Sequence, residues 1–169
     1  MDRSLIKAAL QTSRADYTEL RLETRRTARI VFHGRNLETV SSVVNQGGIV
    51  RALVKGGGWG IATFNSTANL CERVDQAYAT ARTVQAKPIE LATTEPIQDE
   101  IHIELEEDFR QISLSHKKRL IEGYNEIMLS TGEIVDTQAS YVDQFTDYTY
   151  ANSEGTFIVE ERPMTTVHL

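Results

Sequence analysis

The sequence predicts an α/β protein of the α+β type, a largely antiparallel or mixed sheet meander with two long helices packed on it. Three observations carry this expectation. Strand-like patterning, with alternation of period two clearest at Tyr17–Glu23 and Ala28–Phe32, recurs through positions 17–64 and again through 133–169. Turn-forming stretches punctuate both regions: His33-Gly34-Arg35-Asn36, Asn45-Gln46-Gly47-Gly48, Gly56-Gly57-Gly58 and Asn152-Ser153-Glu154-Gly155. Two segments switch to helical spacing. They are Leu70, Val74, Ala77, Tyr78, Ala81 and Val84, then Leu120, Ile121, Tyr124, Ile127 and Met128.

Taken in order, Asp2–Ser13 reads as a short helix with Leu5, Ile6, Ala9 and Leu10 on one side. Five strands are expected next. They are Tyr17–Glu23, with Leu20 and Leu22 facing inward; Ala28–Phe32; Leu37–Val44; Ile49–Lys55, apolar on both faces except for Arg51 and Lys55; and Trp59–Phe64. The first long helix follows, with Ser66 or Thr67 able to cap its first amides and Glu72, Arg73, Gln76 and Arg82 on its wet side. Ala86–Asp99, with Pro88 and Pro96, reads as an extended connector. Ile101, Ile103 and Leu105 alternate with His102, Glu104 and Glu106, as in a short strand or extended segment. Ser113 or Ser115 starts the second long helix, and Gly132 stops it. Glu133–Asp143, Gln144–Ala151 and Thr156–Glu161 are strands. Pro163 interrupts, and Met164–Leu169 starts another.

The organisation expected is a single domain over 1–169. It has a helix, meander and helix in 1–86, a connector at 87–99, and a helix with strands in 100–169. The chain stops on Thr166-Val167-His168-Leu169, inside a strand-like run, so it is expected to be a piece of a longer polypeptide.

Composition removes several classes of function. With 169 residues, 40% hydrophobic and 25% charged, the chain has the make-up of a globular protein. Its formal net charge is −6, which gives no general attraction for phosphate backbones or anionic lipid. Nucleic acid and membrane are therefore not expected partners. Cys71 is the only cysteine, so no intrachain disulfide is possible. The first residues lack a signal-peptide core, and no apolar run approaches the ~20 residues of a membrane span. A cytoplasmic location is expected.

Most catalytic patterns fail. The histidines are His33, His102, His116 and His168, and none has a second histidine four or five residues away. His102, Glu104 and Glu106 could share a strand face, but a solvated acidic face is the plainer reading. Gly56, Gly57, Gly58 and Gly60 are followed by Trp59 and a strand, not by Lys-Ser or Lys-Thr opening a helix, so they read as a hairpin turn and not a phosphate loop. No Gly-x-Ser-x-Gly elbow occurs. Cys71 reads as a buried structural thiol. Arg21, Arg25, Arg26 and Arg29, around the first strand turn, and Lys117-Lys118-Arg119 read as solvated faces. Trp59 is either a core anchor or an exposed ring that grips a partner. Tyr141, Phe145, Tyr148 and Tyr150 read as sheet packing. No catalytic, metal or cofactor residue is expected in this chain. Trp59, Asn152, Ser153 and Gly155 are the candidates for partner or peptide contact.

Ala15-Asp16-Tyr17-Thr18-Glu19-Leu20-Arg21-Leu22-Glu23 resembles the first strand of the TldD/PmbA family of peptidases. Gly47-Gly48-Ile49-Val50-Arg51-Ala52-Leu53-Val54, followed by Gly57-Gly58-Trp59-Gly60-Ile61-Ala62, resembles the family's next landmark, and Asn152-Ser153-Glu154-Gly155 its Asn-Ser-x-Gly turn. The resemblance covers nearly the whole chain, but only the N-terminal portion of a full-length member. It implies a cytoplasmic peptidase. The TldD-like subunit binds zinc through a His-Glu-x-x-x-His helix and a later cysteine. A PmbA-like (TldE) partner lacks those ligands, and the two pair around a cleft that degrades unfolded or precursor peptides. No His-Glu pair occurs here, so the resemblance places none of the zinc ligands on this chain and puts the catalytic C-terminal domain outside it. What it implies is a non-catalytic domain that walls the cleft and supports subunit pairing. The alternative is a stand-alone peptide- or protein-interaction module of the same fold.

Overall fold

A computed structural model of the chain describes residues 3–84, 87 and 89–169. The elements are α1 (Arg3–Gln11), β1 (Tyr17–His33), β2 (Asn36–Leu53), β3 (Trp59–Phe64), α2 (Leu70–Thr83), β4 (Gln98–Ile101), α3 (Leu114–Leu129), β5 (Gln138–Asn152) and β6 (Phe157–His168). Single 3-10 turns at Thr67–Asn69 and Phe109–Gln111 lead into α2 and precede α3. The strands form a six-stranded sheet in the order β3-β2-β1-β5-β6-β4. β2 and β3 pair antiparallel while β4 and β6 pair parallel, so the sheet is mixed, as the α+β reading allows.

The five-strand meander is corrected to three strands, the first two of them long. β1 continues through Thr24–Thr27, and β2 continues through Asn45–Gly48 without turning. Composition points to a turn there, but neither Gly47 nor Gly48 has a positive φ. Gly48 serves close approach instead. A Cβ at Gly48 would overlap the Phe64 ring and lie 2.6 Å from the Arg21 carbonyl oxygen. The true hairpin turn follows His33, where Gly34 takes φ +53° at no steric cost. β5 likewise runs unbroken across Asp143–Gln144. β6 runs through Pro163, which lies beyond the Ile101–Glu160 end of its pairing with β4. The strand expected at 101–106 sits earlier, at Gln98–Ile101. Asp2, Ala86 and Pro88, part of the helix and connector readings, lie outside the described residues.

The chain resolves into two compact units, interleaved along the sequence. Unit 1 comprises Met1–Thr24, Gln46–His102 and Asp147–Glu160. Unit 2 comprises Arg25–Asn45, Ile103–Thr146 and Glu161–Leu169. β1, β2, β5 and β6 each contribute one part to each unit.

In unit 1, α1 buries Ile6, Ala9 and Leu10, and α2 buries Leu70, Val74, Ala77 and Ala81. Both helices join one core with Leu20 and Leu22 of β1, Val50 and Ala52 of β2, and Ala62 and Phe64 of β3. Ser66 caps the 3-10 turn before α2 through the Ala68 amide, as expected of a serine there. Cys71 is exposed, correcting the buried reading: it sits one position round from the buried Leu70.

In unit 2, Ser113 caps α3 through the His116 amide. Ile121 packs with Ile30, Phe32, Ala139 and Tyr141. The buried face of α3 is Lys117, Ile121 and Asn125, whereas Leu120, Tyr124 and Ile127 face outward, Ile127 with 67% of its surface exposed. Two buried polar side chains explain this rotation. Lys117 pairs with the equally buried Asp143, which also accepts a 2.7 Å hydrogen bond from the Tyr141 hydroxyl. Asn125 donates to the Gly34 carbonyl at 2.7 Å and accepts from the Thr137 hydroxyl at 2.8 Å, tying the hairpin turn to the helix. Lys117 is thus not part of a solvated basic face. No helix among the described residues is long and apolar enough to cross a membrane.

Candidate functional site

Strand alternation assigns the two faces of the unit 1 sheet different jobs. Leu20 and Leu22 point into the helix-covered core, so Tyr17, Glu19 and Arg21 point the other way. Arg51 of β2 and Trp59 of β3 join them there, in a register that pairs Leu53 with Trp59 and Arg51 with Ile61. β5 adds Tyr150 and Asn152.

Glu19 organises this cluster. Its side chain is only 8% exposed, and a carboxylate so placed must be paired. Its Oε1 lies 2.9 Å from the Arg51 guanidinium and 3.2 Å from that of Arg21. Its Oε2 lies 3.2 Å from the Tyr17 hydroxyl and 3.3 Å from that of Tyr150, which are 2.9 Å from each other. Arg51 stacks 4.4 Å above the Trp59 ring, and Tyr17 meets Trp59 edge-on at 5.9 Å. Burial, and then the hydrogen bond to Tyr150, push the Tyr17 phenol well above its ordinary value. It therefore stays protonated.

Above this floor lies a cavity of about 420 Å³. Arg51, Trp59 and Tyr150 line one part of it, and Leu91, Ile97 and Ile158 supply apolar wall. The connector therefore does more than join elements. Its Ile97 amide donates to the Thr156 hydroxyl at 3.2 Å, and its Ile97 carbonyl accepts from the Phe157 amide at 2.8 Å. Those bonds hold the wall in place.

The four candidate contact residues divide between two cavities. Trp59, half-buried, and Asn152 line the one just described. Asn152, Ser153 and Gly155 line a second, of about 280 Å³, with Lys7, Gln11 and Gln98. Asn152, Ser153 and Gly155 are also turn formers. Asn152 Oδ1 accepts from the Glu154 and Thr156 amides at 3.1 and 2.9 Å. Ser153 exchanges bonds with Thr18, its Oγ accepting from the Thr18 amide at 3.0 Å and its amide donating to the Thr18 carbonyl at 2.8 Å. Gly155 adopts φ +104°. Sequence reasoning missed Tyr17, Glu19, Arg51 and Tyr150. Arg51 left a visible signal as one of two charged residues in an otherwise apolar strand.

The donor set does not suit a zinc ion. Its one buried carboxylate already serves two guanidinium groups, and no histidine lines the cavity. Among the described residues, no group of three His, Cys, Asp or Glu side chains could hold a metal.

Comparison with known proteins gives consistent results. Residues 18–81 match the model for PmbA/TldA metallopeptidase domain 1, and residues 107–169 match that for the PmbA/TldA metallopeptidase central domain. A Synechocystis metalloprotease is 36% identical over 148 residues, covering 86% of this chain and 32% of that protein. A Methanothermobacter thermautotrophicus metalloprotease is 25% identical over 145 residues, covering 86% and 31%. The chain thus spans about a third of the length of these relatives. The fold matches the crystal structure of TldE from Thermococcus kodakarensis, with a TM-score of 0.73 at 14% identity over 97% of this chain and 37% of that one. It also matches a putative modulator of a DNA gyrase from Thermotoga maritima, with a TM-score of 0.69 at 14% identity over 89% and 34%.

Proposed function

Since the chain belongs to the PmbA/TldD metallopeptidase family, we propose that it forms the peptide-handling wall of such an enzyme, with zinc and its ligands supplied by parts of the longer protein. The observation that carries this reading is the unit 1 cavity. It combines a fixed guanidinium, aromatic rings and an apolar wall on the sheet face that α1 and α2 leave free. Such a mixture suits an extended peptide, which presents apolar side chains and polar backbone together. The edge strands β3 and β4 offer unpaired backbone groups to the same kind of ligand. Within the cytoplasm, unfolded or precursor peptides are the substrates this wall would guide to a metal centre. The wall itself performs no bond cleavage. Binding and orienting the peptide and limiting water are its contribution.

Sole tryptophan Trp59 lies in the cavity, so its emission reports occupancy. Titrating the chain with unstructured peptides should shift that emission saturably, without cleavage. Extending the polypeptide to the length of its relatives should add stoichiometric zinc and peptidase activity. Cleavage by this chain alone would overturn the assignment.

A second reading, an interaction module without peptidase activity, draws on α3. Its outward Leu120, Tyr124 and Ile127 form a row at i, i+4 and i+7 suited to a protein partner, including a TldD- or TldE-type subunit. This reading gains if the extended polypeptide acquires neither zinc nor activity.

A further inference from the structure

Resting on the peptide-binding reading of unit 1, we infer that the cavity selects peptides carrying a carboxylate, and that Arg51 is its receptor. The charge count at the cavity floor comes first. The single Glu19 carboxylate is shared between Arg21 and Arg51, so neither guanidinium has a carboxylate to itself. Arg51 is the one of the two that lines the cavity, where a ligand can reach it. Its side chain is one-third exposed, whereas Glu19 beneath it is buried.

Geometry reinforces the count. A guanidinium offers five N–H donors in a rigid fork. The Arg51 side chain spends Nη1 on Glu19 Oε1 and stacks its plane on Trp59. The remaining donors make no hydrogen bond to a described residue. A cation held flat by an ion pair on one edge and an indole on one face has little rotamer entropy left to lose on binding. The arrangement favours a planar two-oxygen acceptor over a lone carbonyl, because paired N–H···O⁻ bonds match the fork. Leu91, Ile97 and Ile158 then receive the apolar neighbour of that carboxylate. Glu95 and Glu154 also line the cavity, and their charges oppose an anionic ligand through solvent. Their effect is to tax affinity, not to change the site at Arg51.

Two sources supply this chemistry, the C-terminal carboxylate of a peptide or an internal Asp or Glu side chain. The test uses one uncharged peptide sequence in three forms, titrated against Trp59 emission: amidated at the C-terminus, free at the C-terminus, and amidated with one internal Glu. At least one carboxylate form should bind about 10-fold more tightly than the neutral amide, the worth of one charge-assisted contact. Preference for the free terminus identifies a terminal-carboxylate site, and preference for the internal Glu a side-chain site. Equal binding of all three forms overturns the role of Arg51 while leaving peptide binding intact. Binding of none overturns the peptide reading itself. Arg51→Gln should bring the ratio of carboxylate to amide affinities to about one, whatever it does to the affinity for the amide itself. Because removing Arg51 also strips a partner from Glu19, Arg51→Lys serves as the charge-retaining comparison, and it should keep the preference in reduced form. Glu154→Gln should tighten the carboxylate peptides. Retention of the full preference by Arg51→Gln refutes the inference.

Discussion

The same substitution, glycine to alanine, should have opposite effects at positions 60 and 123. Gly60 lies in β3 directly beneath α2. A Cβ there would overlap the Ala77 carbonyl oxygen and the Ala81 amide nitrogen, and it would sit 3.0 Å from Ala81 Cα. All three are helix backbone, so no side-chain rotation relieves the clash, and α2 must retreat by about an ångström. A gap of 0.5–1 Å forfeits roughly a quarter to a half of each dispersion contact. The helix buries Leu70 and Val74 fully, each worth about 1.5–3 kcal/mol, and Ala77 and Ala81 besides. Losing that fraction costs about 1–3 kcal/mol, the range seen for overpacked cores. Gly123 lies inside α3 with nothing within 4 Å of its would-be Cβ. Alanine there should stabilise by about 0.5–1 kcal/mol through helix propensity and a less flexible unfolded chain. At about 2–4 °C per kcal/mol for a chain of this size, calorimetry should show Gly60→Ala melting several degrees lower and Gly123→Ala slightly higher than wild type. A Gly60→Ala melting temperature within a degree of wild type would refute the argument that β3 and α2 meet through a missing side chain.

Other expectations concern unit 2. Asn125→Ala should cost about 2–3 kcal/mol, because it leaves the Gly34 carbonyl and the Thr137 hydroxyl without their partner; denaturant unfolding checks this, and a loss below 0.5 kcal/mol would count against it. Lys117→Met should cost about 3–5 kcal/mol by stranding the buried Asp143, whereas adding Asp143→Leu should recover most of that loss, so an additive double variant would show that the pair is not coupled. His33, between Asp136 at 2.8 Å and Glu38 at 3.2 Å, should titrate above the usual ~6.5 of an imidazole, as NMR can read directly. The hydrogen bond to Asp136 is the largest cause, and the same bond lowers the Asp136 carboxyl. The histidine's stabilising contribution is thus full below its unfolded pKa and fades as pH rises through the raised folded value, while that of Asp136 is full above its unfolded pKa and fades as pH falls through the lowered one. His33→Gln should flatten the alkaline side of the profile, and an imidazole titrating below ~6.5 would contradict the pairing.

The elements most legible in the sequence were those whose pattern has one cause. The α2 stripe buries Leu70, Val74, Ala77 and Ala81 as its spacing requires, and Ser113 caps α3, whereas Ser66 caps the 3-10 turn that leads into α2 and not the helix itself. Legibility failed where one residue type serves two ends. Gly48 looks like a turn and is a contact point between Phe64 and the Arg21 backbone, so two strands were read in place of β2. In α3 the apolar residues outnumber the polar ones that are buried, and spacing alone selects the wrong face. Only the partners Asp143, Gly34 and Thr137 make burial of Lys117 and Asn125 favourable, and those lie far off in sequence. At the candidate site, Trp59 and Asn152 were visible as unusual residues, whereas Glu19 hid within an ordinary alternating strand. Its burial depends on Arg51 and Tyr150, which are brought to it by strand pairing.

Both units bury charge, and how each balances it separates scaffold from site. In unit 2, Lys117 and Asp143 close on each other, and Tyr141 takes up the same carboxylate. Count and geometry are both satisfied, so the pair fixes which face of α3 turns inward. Asn125 acts likewise, with donor and acceptor both engaged. In unit 1 the balance is left open. One carboxylate meets two guanidinium groups, and the partly exposed Arg51 borders a cavity large enough for several atoms of a ligand. Keeping a stacked cation beside a single shared carboxylate gives little stability, since apolar residues of like volume could replace such groups without loss. A cation held against Trp59, with donors still open toward a cavity, is therefore placed to bind as well as to hold.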